Sequence, residues 1–322
     1  LDSIRWDIND FVDWVASDNP RTKYRNLITQ SGGDTSDYPE NALETVFYPT
    51  NKIRLPVNKE NVIKSGLVKE KDSDLILDYI DIDLPESIIT KNQIMMLDIL
   101  ANNNWERPIY FTGGSYEESE YIWMKDYLQL DGLVYKLVPI KTSIENNPYE
   151  MGRIDSDLMY DIVKKWSWGN SESDEIYHDP ETRKNSISFR GNLSRLSEKL
   201  ISEGEYEKAE EILDLAFSKM PIDYYGYYSL WTPLVKSYYD IGKSEKVREI
   251  VQKLSFKYSD RLSYFSSLEI FNQYDVGEEI ISDIERFRNL IETIQESGER
   301  EILANQIKSF ISSSEQFNYI YG

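Results

Sequence analysis

Hydrophobic and polar positions alternate with two different periods along this chain, and the change of period divides it in two. Residues 3–16 (SIRWDINDFVDWVA) place Ile4, Ile8, Phe11, Val12 and Val15 at helical spacing, which predicts an amphipathic opening helix. SGGDTSDYPEN at 31–41 reads as a loop. ETVFYP and NKIRLPV within 44–57 predict two short extended segments, which Pro49 and Pro56 confine to edges or strand ends. The alternation in DLILDYIDIDL (74–84) predicts a strand.

The sharpest local signal is TKNQIMMLDILANNNWERPIYF at 90–111. Thr90 and Gln93 form a capping box, in which each side chain satisfies an orphan amide at a helix start. Ile94, Met95, Met96, Leu97, Ile99 and Leu100 leave almost no polar face, so burial on most sides is expected. Asn102, Asn103 and Asn104 stop the helix, and Pro108 leads into a short strand. With the strand before it, this predicts a β-α-β unit. A helix over 118–129 and a strand at 133–140 complete a predicted α/β domain with a small mixed sheet, residues 1–148.

From residue 149 to 322 the pattern is helical throughout. DSDLMYDIVKKW (155–166) is amphipathic, and WGNSESDEIYHDPETRKN (168–185) is a polar loop. Leu193, Leu196, Leu200, Gly204, Tyr206, Ala209, Leu213, Ala216 and Pro221 follow the tetratricopeptide arrangement. Trp231, Leu234, Tyr238, Gly242, Val247, Val251 and Leu254 form a second copy, its turn glycine 38 residues after the first. A degenerate third copy uses Phe287, Leu290, Ile294, Gly298, Leu303 and Ile307, after an extra helix near 263–272. The expected class is α+β overall: an α/β domain, then an all-α tetratricopeptide-like array.

Composition narrows the chemistry. The net charge of −21 is spread evenly, −11 over residues 1–150 and −10 over the rest, a surface that repels nucleic acid and anionic membranes. Cysteine is absent, which removes disulfides, thiolate nucleophiles and Cys-ligated zinc. A single histidine, His178, excludes any two-His metal centre. No apolar run approaches the roughly 18 residues of a membrane helix. The first residue is Leu1, so a fragment of a longer protein is expected.

Asp81 and Asp83 form a D-x-D, a motif that holds a metal and nucleotide-sugar in some glycosyltransferases. At the end of an apolar strand before Pro85, strand-end solvation accounts for it better. Gly113 and Gly114 sit where an α/β fold can bind phosphate, yet the acids that follow would repel one. His178 reads as a loop histidine. Tyr224, Tyr225, Tyr227, Tyr228 and Trp231 carry more aromatic surface than one helix face can bury, and make the candidate surface for a protein, peptide or glycan. No cofactor or metal is expected.

The block N-N-W-x-R-P-I-Y-F, with Asn104, Trp105, Arg107, Pro108 and Tyr110, resembles a family of large multi-spanning Bacteroidetes-type membrane proteins. That family is of unknown function and similar to protein O-mannosyltransferases. The resemblance continues through YLQLDGLVYKLVP (127–139), Trp168-Gly169-Asn170, Arg190 to Leu196, and GEYEKAEEILD (204–214). It implies the soluble C-terminal portion of such a protein, lying outside the cytoplasmic membrane (periplasmic), with the membrane-spanning catalytic part upstream. No catalytic residue carries over, and the matched residues are expected to be structural. Trp105 should pack beneath the sheet and Arg107 should pair with a carboxylate. The implied role is a non-catalytic domain that recruits acceptor protein or partner subunits; the alternative is a carbohydrate-binding or carbohydrate-active α/β module.

Overall fold

A computed structural model describes residues 4–48, 50–84, 89–112, 122–142 and 151–321. The fold is α+β: two three-stranded sheets in the first half, then helices. The chain divides into two compact units, Leu1–Asp155 and Ser156–Gly322.

In the first unit, β1 (Trp6–Asp7) takes the first turn of the predicted opening helix, and α1 (Ile8–Ala16) keeps the rest. Asp7 sets that boundary, because its side chain accepts from the Asn9 amide at 2.8 Å as an N-cap. After α2 (Tyr24–Gln30) and α3 (Glu40–Leu43) comes β2 (Lys52–Pro56), the centre of the first sheet. It pairs parallel with β1 and antiparallel with β3 (Tyr79–Asp83), and α4 (Lys59–Lys64) lies between β2 and β3 in sequence. Pro56 ends the central strand, where its missing donor costs nothing. ETVFYP supplies only an isolated bridge from Val46 to Lys23; Pro49 lies outside the described residues.

The expected β-α-β unit does not form. β4 (Tyr110–Thr112), β5 (Leu128–Asp131) and β6 (Val134–Leu137) make a second, wholly antiparallel sheet in the order β4-β6-β5. The helix α5 (Lys91–Asn103) therefore joins strands of different sheets rather than crossing over within one. Of the predicted 118–129 helix, 118–121 lie outside the described residues, 122–127 form a 3-10 stretch, and the rest enters β5. Gly113 and Gly114 also lie outside the described residues.

The Gln93 side chain accepts from the Thr90 amide at 2.8 Å, and Asn104 takes the left-handed C-cap (φ 47). Burial of α5 is narrower than its sequence predicts. Leu97 and Leu100 are buried, whereas Met95 and Ile99 are 57% and 58% exposed. α5 packs on α1, and its Met95–Ile99 side meets solvent. Ile8, Phe11, Ile53, Ile80, Ile82 and Leu97 form the centre of the core.

The second unit starts with α6 (Ser156–Val163). α7 (Pro180–Ser202) begins inside the predicted polar loop, because Asp179 caps it by accepting from the Glu181 and Thr182 amides and Pro180 fits the first helical position. There follow α8 (Tyr206–Lys219), α9 (Ile222–Tyr225), α10 (Thr232–Asp240), α11 (Ser244–Ser267), α12 (Ile270–Asp275), α13 (Gly277–Glu296), α14 (Arg300–Ser314) and α15 (Asn318–Tyr321). α7 packs on α8, α10 on α11 and α13 on α14. Each pair turns at a left-handed glycine, Gly204 (φ 80), Gly242 (φ 74) and Gly298 (φ 80), the conformation that a side chain disfavours. The extra helix expected near 263–272 is instead the end of α11 and the start of α12. Tyr206 and Ile307 are exposed, so neither fills the core position that its copy predicts. Among the described residues, no helix is long and apolar enough to cross a membrane.

Candidate functional site

Trp105 stands at φ 59 directly after Asn104, two consecutive left-handed residues that reverse the chain out of α5. Only 4% of Trp105 is exposed, and its indole Nε1 donates to the Pro56 carbonyl at 2.7 Å. Asn58, the N-cap of α4, donates to Asn104 Oδ1 (3.2 Å), and Asn61 donates to the Asn104 carbonyl (2.9 Å). Asn103 holds the Arg107 carbonyl at 2.8 Å. The block thus staples α5 to the end of β2 and to α4. The Arg107 side chain is exposed, and no carboxylate among the described residues pairs with it, contrary to expectation. Pro108 and Tyr110 are exposed.

The D-x-D carboxylates are committed to arginines. Arg54 grips Asp81 through both oxygens (2.8 and 3.1 Å), and Arg5 reaches Asp81 at 3.4 Å and Asp83 at 2.9 Å. Asp81 is held by two arginines, whereas Asp83 is mostly exposed at the strand end, in keeping with the solvation expected there. Among the described residues no three metal-ligating side chains converge. Sequence reasoning missed the buried polar set in the second sheet. Lys136 and Asp131 are both buried and pair at 3.0 Å, and Gln129 donates to Asp131 at 2.8 Å. Tyr110 lies opposite Lys136 in register; about half of the residue is exposed, and the partial burial of its hydroxyl, followed by the Asp131 charge, raises its pKa. Gln129 and Asp131 alternate with buried Leu128 and Leu130, a period-2 signal that was there to be read.

In the second unit the candidate aromatics separate into two groups. Tyr225 and Trp231 are buried, so they pack rather than present a surface. Tyr224 and Tyr228 are half-buried, and Tyr227 is exposed at a left-handed backbone (φ 48). What holds this turn is Arg190 of α7, fully buried, with no carboxylate partner among the described residues. Its Nη1 donates to the carbonyls of Gly226 (2.9 Å) and Tyr227 (3.2 Å), and Nη2 donates to Ser186 Oγ (2.5 Å). The guanidinium lies 4.4 Å from the centre of the Trp231 ring, a stacked cation–π contact. Burial pulls its pKa down to about 10. An arginine in a helix usually reads as surface, and only its place in the Arg190–Leu196 run marks it.

Trp168, Gly169 and Asn170 join the same assembly. Gly169 and Asn170 are left-handed (φ 56 and 63), turning the chain so that the Ser171 carbonyl accepts from the Tyr225 hydroxyl at 2.9 Å. Ser171 Oγ donates to the Lys219 carbonyl at 2.7 Å. Trp166, Trp168 and Phe189 are half-buried and meet edge-on or tilted, with centroids 5.2–5.5 Å apart. His178 stacks on Tyr224 at 5.5 Å, with Nε2 2.9 Å from the Ser173 carbonyl, a packing role.

Two buried tyrosines make this unit sensitive to alkali. Burial, then the Asp214 carboxylate at 2.6 Å, raises the Tyr238 hydroxyl; burial raises that of Tyr258. Each stays protonated when folded, so its stabilisation is complete below the unfolded value of about 10 and lost as pH rises above it. Arg190 acts with the opposite sign, because its folded pKa lies below the unfolded value. Burial also raises the Tyr225 and Tyr239 hydroxyls of this unit, so the tyrosines outweigh the one arginine and stability falls as pH rises above ~10. Urea midpoints measured across that range should fall, and a flat profile would contradict the assignment.

No curated protein and no solved structure matches the chain. Residues 2–158 match the family model of TMEM260-associated domain 2, so this part of the chain is similar to that domain, which is consistent with a domain of a membrane protein.

Proposed function

We propose that the chain is a non-catalytic extracytoplasmic domain of a glycosyltransferase-like membrane protein, and that it recruits a protein or peptide acceptor, with any glycan it carries, through the helical unit. The observation that carries this reading is the half-buried ring cluster of Trp166, Trp168 and Phe189, together with the separate exposed ring of Tyr227 on the Arg190-anchored turn. Half-exposed rings on a rigid support supply contact area at low entropic cost. The three helix pairs read as tetratricopeptide-like, with left-handed turn glycines and with Ala209 and Ala216 buried in the first pair. Such arrays bind extended chains. The sequence resemblance of most of the chain to membrane proteins similar to O-mannosyltransferases favours chemistry in a membrane-spanning region joined upstream, at the periplasmic face. Commitment of Asp81 and Asp83 to Arg5 and Arg54 supports binding over catalysis here. The test is turnover of nucleotide- or lipid-linked sugar donors by the purified chain. None is expected; turnover abolished by Asp81→Asn would overturn the reading.

A further inference from the structure

Asp283 of α13 is a buried carboxylate held by two arginines. Arg261 of α11 reaches its Oδ2 through Nε at 2.5 Å, and Arg286 of α13 reaches Oδ1 through Nη1 at 3.2 Å. One arginine neutralises a buried acid; the second leaves the cluster with a net charge of +1. The nearby acid Glu285 is engaged by Arg288, whereas Asp260 is exposed to solvent. Both arginine side chains are nearly half exposed, 44% and 45%, although each guanidinium is anchored by one hydrogen bond to Asp283. Their outer N–H groups, on Nη1 and Nη2 of Arg261 and on Nε and Nη2 of Arg286, have no protein acceptor among the described residues. One turn before Arg261, Tyr258 is fully buried with an unpartnered hydroxyl, and its ring stacks on Phe287 of α13.

We propose that Arg261 and Arg286, oriented by Asp283, form an oxyanion site on the α11–α13 face that takes a phosphate group. Because both arginines bind oxygens of one carboxylate, both guanidiniums are already anchored at the same buried group, which lowers the entropic cost of binding. The two forks come from different helices. A planar carboxylate matches one fork at a time, whereas a tetrahedral phosphate offers oxygens to both. In a chain of charge −21 the general surface repels such an anion, so binding here has to come from this pair.

The arginine Nε–H resonances of the whole chain, followed by NMR at constant ionic strength, test the site. Inorganic phosphate and glycerol phosphate are the probes, which separate the free ion from an ester, and acetate is the planar competitor. Saturable shifts confined to Arg261 and Arg286, with either phosphate and not with acetate, are expected. Arg286→Gln, which leaves the Arg261–Asp283 pair intact, should weaken binding by about tenfold or more. Arg286→Lys, which keeps the charge without the fork, should recover only part of that loss, and Lys253→Gln should change nothing. No saturable shift, equal shifts at all arginines, or unaltered binding by folded Arg286→Gln and Arg286→Lys proteins would overturn the proposal.

Discussion

Trp105→Ala should destabilise the first unit by about 3–5 kcal/mol, the cost of emptying a buried indole site. The side chain lies in the main core and its Nε1 donates to the Pro56 carbonyl, so the substitution also leaves an acceptor at the end of β2 unpaired. Trp105→Phe separates the two contributions. It keeps most of the packing and loses only the hydrogen bond, at about 1–3 kcal/mol. Urea midpoints of both variants give the comparison. An alanine variant that melts with the parent would mean that the turn is not a structural staple, and would turn attention to Trp105 as a contact residue.

Arg190→Met is expected to cost about 3 kcal/mol. Replacing a buried charge by an apolar group of similar volume is often harmless when both members of an ion pair are removed together. Here the partners are the Gly226 and Tyr227 carbonyls, which remain and lose their donor. The cation–π stack on Trp231 goes with it. Arg190→Lys retains a charge without the planar fork and should fall between parent and methionine variant. If Arg190→Met equals the parent in stability, the turn at 224–231 is held by its own packing and Arg190 is dispensable.

Much of the fold is legible in the sequence where local chemistry decides it. The Gln93 half of the capping box, the left-handed stop at Asn104 and the glycine turns at 204, 242 and 298 all follow from backbone preferences that no tertiary contact needs to overrule. Sheet membership is different. A strand of three residues such as Tyr110–Thr112 carries no record of its partner, and pairing with β6 instead of β3 depends on the turn at Asn104–Trp105. Burial of α5 is hard to read for a related reason, since an apolar composition does not say how many neighbours a helix will have; Met95 and Ile99 meet solvent instead. The site was half legible. Four adjacent tyrosines and Trp231 marked a turn that matters, but burial splits them, and the residue that organises them, Arg190, looks like any charged helical position. The alternating Gln129 and Asp131 were readable, and their partner Lys136 follows only from the β5–β6 register.

The most direct test of acceptor recruitment is an NMR titration of the tryptophan indole resonances with a permanently unfolded, reduced and alkylated polypeptide. Saturable shifts at Trp166 and Trp168 are predicted, with Trp105 in the first unit unaffected and the response lost in Trp168→Ala. Indoles that do not move, or shifts at Trp105 that survive Trp168→Ala, would contradict a binding role for the helical unit.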